Sequence, residues 1–255
     1  MKPLKATVNC DMGEGFSLYT MGDDEGLMKT IHLANIAFLL SDFSVMNKTV
    51  ALAKSNNVLA GAHPSLPDLQ GFGRREMAIE PDELESCFIY QVGALDGFLK
   101  RYGLPMNHIK PHGSIYGQTA RSIDLARAVV GVTKVFKASA ASPQGVAFMG
   151  LAGTAHQQAA AELGVPFIAE WFADLGYNDE GKLLITKKHD PVPIEVVQNL
   201  LQQHKVTTVG GKLLDIGANV GEVSICCHSD TPGAVQIAQA VKALVDESNQ
   251  EAGYV

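Results

Sequence analysis

The chain has 255 residues, a net charge of -7, 46% hydrophobic residues and few aromatics. That composition has neither the low hydrophobicity of disordered chains nor the basic excess that phosphate-backbone binding needs, so nucleic acid is not an expected partner. The length suits one large α/β domain or two small ones, and without a linker or low-complexity block the simpler reading is one domain over 1–255.

The N-terminus, MKPLKATVNCDMGEG, reaches acidic residues before any sustained apolar run. No later window approaches the roughly eighteen apolar residues of a membrane span. Cys10, Cys87, Cys226 and Cys227 form no CxxC pair, so they read as reduced thiols. A cytoplasmic protein that does not engage a membrane is expected.

In chain order, short apolar runs suited to buried strands occur at 6–9, 34–40, 58–62, 106–110, 146–152, 165–172 and 222–227. Helical periodicity fills 41–55, 81–103, 122–139, 153–164 and 231–248, several of these opened by Ser, Asp or Thr in N-cap position. Continuous apolar strands alternating with helices predict a parallel sheet covered by helices. Almost every strand is followed by reactive groups: Asp11 and Glu14, Ser41 and Asp42, His63 and Asp68, His112, Glu170 and Asp174, then His228 and Asp230. A closed barrel gathers strand ends around one mouth, whereas an open sheet concentrates ligands at one switch point, so a β/α barrel is favoured.

Three segments carry most of the chemistry. NCDMGEG sets Asp11 and Glu14 three apart in a glycine-bearing turn, close enough to serve one metal, one water or one proton transfer; an ordinary Asx-type turn is the plain alternative. GAHPSLPDLQGFGRRE is longer and more densely titratable than a connecting loop requires. There His63 stands at a strand end, and Arg74 and Arg75 are placed to reach an anionic substrate or phosphate. KPHGSIYG puts Lys110 at the end of a buried strand, where an ammonium needs a carboxylate partner, with His112 two residues on.

In the last segment, CCHSDTPGA, Thr231 and Pro232 read as N-cap and first helical position, while His228 has no such structural role. Asp11, His63 and His112 could hold a divalent metal, although no HExxH or HxH spacing supports it. His32, His108, His156, His189 and His204 are taken as structural or surface residues. GGKLLD lacks the length and the hydroxyl residue of a P-loop.

Taken together, NCDMGEGF, ANIA, GAHPSLPDLQGFGRR, YQVGAL, IKPHGSIY, EWFADLGY and HSDTPGAV resemble the LamB/YcsF family, known as the A component of 5-oxoprolinase, from residue 7 to about 245. The resemblance implies a seven-stranded β/α barrel akin to the polysaccharide-deacetylase fold. It also implies ATP-dependent opening of 5-oxoproline to L-glutamate with two further subunits, B and C. Self-association stays open.

Carried onto this sequence, the family pattern points to Asp11, Glu14, His63, Lys110, His112, Glu170, Asp174, His228 and Asp230 around the mouth. Of these, Asp11, Glu14, His63, Lys110 and His112 are assigned to catalysis. Arg74, Arg75, Glu170, Asp174, His228 and Asp230 are assigned to substrate or phosphate. Two departures stand out. The family normally reads ANIACGFHAGD or ANIACGFHASD where this chain reads ANIAFLLSD, two residues shorter and with Leu39 in place of a His, and Leu175 stands where the family usually has Arg. The competing functions are a metal-dependent deacetylase or amidohydrolase that needs no ATP, and a non-catalytic scaffold.

Overall fold

A computed structural model describes residues 4–39, 41–136, 145–173, 175–180, 183–184, 194–216 and 220–254. Seven parallel strands close into a barrel: β1 (Lys5–Met12), β2 (Leu33–Ala37), β3 (Leu59–His63), β4 (His108–Ile109), β5 (Ala147–Leu151), β6 (Phe167–Phe172) and, last in sequence, β11 (Glu222–Cys226). Neighbours pair in chain order, and β11 closes the circle between β6 and β1. Two small antiparallel pairs lie outside the barrel, β7 (Gly176–Tyr177) with β8 (Leu183–Leu184) and β9 (Lys205–Thr207) with β10 (Leu213–Asp215).

Around the strands run α1 (Asp24–Leu27), α2 (Phe43–Ser55), α3 (Pro81–Tyr102), α4 (Ser114–Arg121), α5 (Ile123–Gly131), α6 (Ala155–Leu163), α7 (Ile194–Gln203) and α8 (Ala234–Ala252). The expected caps hold at three of them: Asp42 accepts from Ser44 and Val45, Ser122 from Leu125, and Thr154 from His156. The Thr231 expectation fails. Gly233 is the N-cap of α8 and adopts φ 78°, a conformation that suits glycine, so Thr231 and Pro232 sit in the preceding turn.

Three other boundaries differ from the sequence expectation. Strand two ends at Ala37, because Phe38 begins a turn whose carbonyl accepts from the Ser41 N–H. β4 keeps only two of its five expected residues. The expected helix at 122–139 becomes α5 followed by a 3-10 turn over Val132–Lys134, and its last three residues lie outside the described residues.

Strand side chains alternate between the helix layer and the barrel axis. The layer facing the helices is apolar, as in Ala6, Val8, Cys10, Ala60, Ala62 and Ile109. The axis is stratified. Leu33, Ala147, Met149 and Ile168 form a small apolar cluster of their own. Beyond that cluster stand polar groups bonded across the axis. Asn9 Nδ2 donates to Ser224 Oγ at 2.8 Å, Asn35 Nδ2 to Asn9 Oδ1 at 2.8 Å, and His108 Nε2 lies 2.7 Å from Asn35 Oδ1. Gly61 is required here, since a Cβ on it would run into the His108 ring. Two residues beyond this layer, at the C-terminal strand ends, come Asp11, His63, Lys110 and Cys226. Glu170 of β6 joins them at the axis.

Candidate active site

The mouth of the barrel is organised around a buried ammonium. Lys110 Nζ lies 2.8 Å from Asp11 Oδ1 and 2.8 Å from Glu170 Oε1, with Cys226 Sγ at 3.4 Å. All are buried. Burial alone would lower the Lys110 pKa, but Asp11, Cys226 and Glu170 outweigh it and hold the ammonium charged well above its usual range. Burial also pushes the Asp11 carboxyl up, and His63 with Lys110 outweighs that to keep it well below the usual carboxylate range. Asp11 Oδ1 takes a second hydrogen bond, 2.8 Å, from Asn35 Nδ2. The polar layer thus orients the carboxylate above it.

Asp11 Oδ2 faces the two histidines. It lies 3.3 Å from His63 Nε2, which lies 3.0 Å from His112 Nδ1, and Glu14 Oε1 is 3.1 Å from that same His112 nitrogen. The four residues are buried and each brings a donor atom within 4.8 Å of the others. Burial is the largest influence on His63 and lowers its pKa. The Asp11, Cys226 and His228 ligand atoms also lie within this span of one another.

The long loop after β3 supports this arrangement. Phe72 and Gly73 both adopt left-handed backbone, φ 54° and 64°, and the turn presents the Phe72 carbonyl to His112 Nε2 at 2.9 Å. Ser65, held by Gln91 through its N–H and carbonyl, anchors the start of the loop on α3. Asp68 binds the Arg75 guanidinium and the Gly71 N–H, so Arg75 is engaged in bracing the loop. Arg74 lies over the Phe72 ring and reaches Asp230 at 2.9 Å, joining this loop to the one after β11. It remains half exposed at the rim. His228 stacks on Phe172, ring centroids 5.6 Å apart and nearly parallel.

Asp11, Glu14, His63, Lys110, His112 and Glu170 therefore converge, His228 borders them, and Arg74 with Asp230 bridges two rim loops. Asp174 lies outside the described residues. Leu175 is buried in the apolar core. After β2, Leu39 is half-buried and Asp42 is committed to capping α2. Asn9, Asn35 and His108 join the site from below without having been expected there. The available signal was the two-residue strand period: stepping back from Asp11 reaches Asn9, and from Lys110 reaches His108.

The LamB/YcsF family model matches residues 6–254. The chain belongs to the LamB/YcsF family. Among its relatives, "Lactam utilization protein lamB" of Emericella nidulans is 44% identical over 263 residues, covering all of both chains. A protein of Staphylococcus epidermidis named as the A component of 5-oxoprolinase is 39% identical over 247 residues, 94% of each chain. The crystal structure of a lactam utilization protein from Thermus thermophilus superposes with a TM-score of 0.83 at 31% identity, covering 98% of each chain. This LamB/YcsF barrel thus follows its relatives from end to end. Among the described residues, no helix is long and apolar enough to cross a membrane.

Proposed function

We propose that this chain is the lactam-handling subunit of an ATP-dependent 5-oxoprolinase, opening 5-oxo-L-proline to L-glutamate together with subunits B and C. The observation that carries the reading is the buried Lys110 ammonium between Asp11 and Glu170, beside two histidines at the mouth of a LamB/YcsF barrel. An unactivated five-membered lactam resists water, so ATP would phosphorylate the amide oxygen and make the ring carbon an imidate-like electrophile. Water adds to that carbon, the C–N bond breaks and the nitrogen leaves as the amine. A second water cleaves the resulting acyl phosphate, so one ATP and two waters yield glutamate, ADP and phosphate.

In this scheme Asp11 or Glu14 with His63 positions and deprotonates the water. Lys110 stabilises charge growing on oxygen or phosphoryl, and Arg74 at the rim holds the substrate carboxylate. The subunits B and C would supply what this chain lacks for ATP. We propose their contact on the loop after β1 and the start of α2, supported by the exposure of Leu18, Tyr19 and Phe43, 94%, 76% and 78%. A hydrogen bond from Ser17 N to Asp42 Oδ2, 2.8 Å, ties these two segments together.

A second reading, a metal-dependent amidohydrolase needing no ATP, is favoured by the four-donor cluster of Asp11, Glu14, His63 and His112. Glutamate release from 5-oxo-L-proline, measured with and without ATP and the partner subunits, separates the two. Release that needs both ATP and partners supports the oxoprolinase reading. Amide cleavage by the chain alone without ATP supports the amidohydrolase, and release unchanged by Lys110→Met or His63→Gln would reduce this chain to a scaffold.

A further inference from the structure

Each histidine of the cluster has its tautomer fixed by a main-chain carbonyl. His63 Nδ1 lies 2.9 Å from the Lys110 carbonyl oxygen, and His112 Nε2 lies 2.9 Å from that of Phe72. A carbonyl only accepts, so both of these nitrogens carry the proton. The remaining nitrogens, His63 Nε2 and His112 Nδ1, then carry lone pairs and face each other at 3.0 Å. Asp11 Oδ2 and Glu14 Oε1, both acceptors when ionised, complete the group at 3.3 and 3.1 Å from these nitrogens. Glu14 Oε1 is buried and receives no hydrogen bond. When both rings are neutral, four electron-pair donors converge with no proton among them. Such an arrangement is costly unless a positive charge sits at its centre.

We propose that Asp11, Glu14, His63 and His112 bind one divalent transition-metal ion. Two imidazole nitrogens and two carboxylate oxygens are the donor set of zinc, manganese, iron(II) or cobalt, whereas magnesium and calcium prefer oxygen alone. The separations of 3.1, 3.0 and 3.3 Å along Glu14, His112, His63 and Asp11 fit as well. An ion about 2.0 Å from each of four tetrahedral ligands sets them roughly 3.3 Å apart. The surroundings match the usual support of such sites: each histidine donates its distal N–H to a carbonyl, and Asp11 Oδ1 is held by Asn35 and Lys110, leaving Oδ2 for the ion. The assignment rests on donor geometry alone and holds whichever reaction the barrel carries.

The test uses the full chain after chelation, titrated with Co2+, Zn2+ or Mn2+ alone, with bound metal quantified by elemental analysis and cobalt followed by its visible absorption. One ion per chain is expected. Glu14→Gln and His112→Gln, checked for folding by circular dichroism, should each weaken binding by more than about tenfold. Asn35→Ala, which removes one of the two donors on Asp11 Oδ1, should weaken it by about 10–100-fold. His156→Gln, which alters a buried histidine bonded to Thr119 and outside this cluster, should bind as the parent does. Failure of the chelated parent to take up any of the three ions, as expected if the rings instead share a proton, overturns the assignment. So does unweakened binding by a folded Glu14→Gln and His112→Gln double variant.

Discussion

Lys110 Nζ and Asp11 Oδ1 lie 2.8 Å apart at the top of the barrel axis, on strands that do not neighbour each other in the sheet. The pair links β4 to β1 across the barrel, and Glu170 makes it a three-membered array. Removing the cation leaves two buried carboxylates without their partner. Lys110→Met is therefore expected to destabilise the fold by about 3–5 kcal/mol, measured by urea unfolding. If the proposed oxoprolinase reading is right, the same substitution should lower kcat of the assembled enzyme by roughly 100-fold or more while KM for 5-oxoproline stays within a few-fold, because the charge Lys110 would stabilise grows only in the transition state. A rise in KM with kcat intact would make Lys110 a substrate clamp.

Arg74 tests the rim. Its ion pair with Asp230 is half exposed, so its stability contribution should not exceed about 1 kcal/mol. If its guanidinium holds the substrate carboxylate, Arg74→Ala should raise KM by about tenfold with little change in kcat, a loss of about 1.4 kcal/mol in binding. Steady-state kinetics of the assembled enzyme with Arg74→Lys alongside would show the fork geometry at work: a lysine that restores KM fully argues against bidentate contact.

Two buried histidines are expected to contribute to the loss of stability in acid. His156 accepts from the Leu151 N–H through Nδ1 and pairs with Thr119 through Nε2, and burial lowers its pKa to about 3. Burial, helped by Lys110, does the same for His108. In the unfolded chain both take up a proton near pH 6.5. The unfolded state therefore binds more protons between pH 6.5 and 3, so the stability present above 6.5 is lost as pH falls through that window. For His156 alone the limit is about 4–5 kcal/mol. Urea midpoints from pH 7.5 to 5 should fall for the parent, and His156→Gln should flatten the slope; an unchanged slope would show that His156 does not carry it.

The barrel was legible in the sequence because the strand runs are dominated by apolar residues and almost every strand end delivers a reactive group. All seven runs became barrel strands, and Asp11, His63, Lys110 and Glu170 came together because closure brings every C-terminal end to one mouth. The layer beneath was not legible for a related reason. Asn9, Asn35 and His108 sit inside runs dominated by apolar neighbours, and only pairing across the axis shows that their polar atoms satisfy one another. Arg75 illustrates the opposite limit. Its position beside a glycine turn suggested an anion contact, but Asp68, seven residues earlier, captures the guanidinium through a fold of the loop that spacing alone does not reveal. Helix α4 carried no clear signal, because the glycines of KPHGSIYG read as a loop, whereas α7 did carry one, with Val197, Leu200 and Leu201 at helical spacing forming its buried face.

The proposed partner contact is testable at Leu18 and Phe43, which expose apolar surface on two segments joined by the Ser17–Asp42 hydrogen bond. Exposed residues contribute little to the fold, so Leu18→Asp and Phe43→Asp should each change stability by less than about 0.5 kcal/mol. A carboxylate placed in a desolvated interface has no such latitude. Co-purification with subunits B and C should therefore weaken by at least about tenfold per variant, with ATP-dependent glutamate release falling in parallel. Unaltered assembly by the double variant would place the contact elsewhere on the barrel.

Asn35 joins the two polar layers. Its amide nitrogen donates to both Asn9 Oδ1 and Asp11 Oδ1, and its carbonyl oxygen accepts from His108 Nε2. Asn35→Leu keeps the volume but removes all three bonds, leaving His108 Nε2 on β4 without this acceptor and Asn9 Oδ1 and Asp11 Oδ1 on β1 with Lys110 as their remaining donor. That change should cost about 1–3 kcal/mol or more in urea unfolding. Asn35→Asp should be worse near neutral pH, since a second carboxylate would then stand beside Asp11 with no new cation to balance it. The kinetic signature separates a positioning role from simple destabilisation. At a temperature where every variant remains folded, loss of Asp11 orientation should lower kcat with KM nearly unchanged, and Asn35→Gln, if it again reaches Asp11, should restore part of the rate. Full activity in a folded Asn35→Leu would mean that Lys110 alone suffices to hold the Asp11 carboxylate.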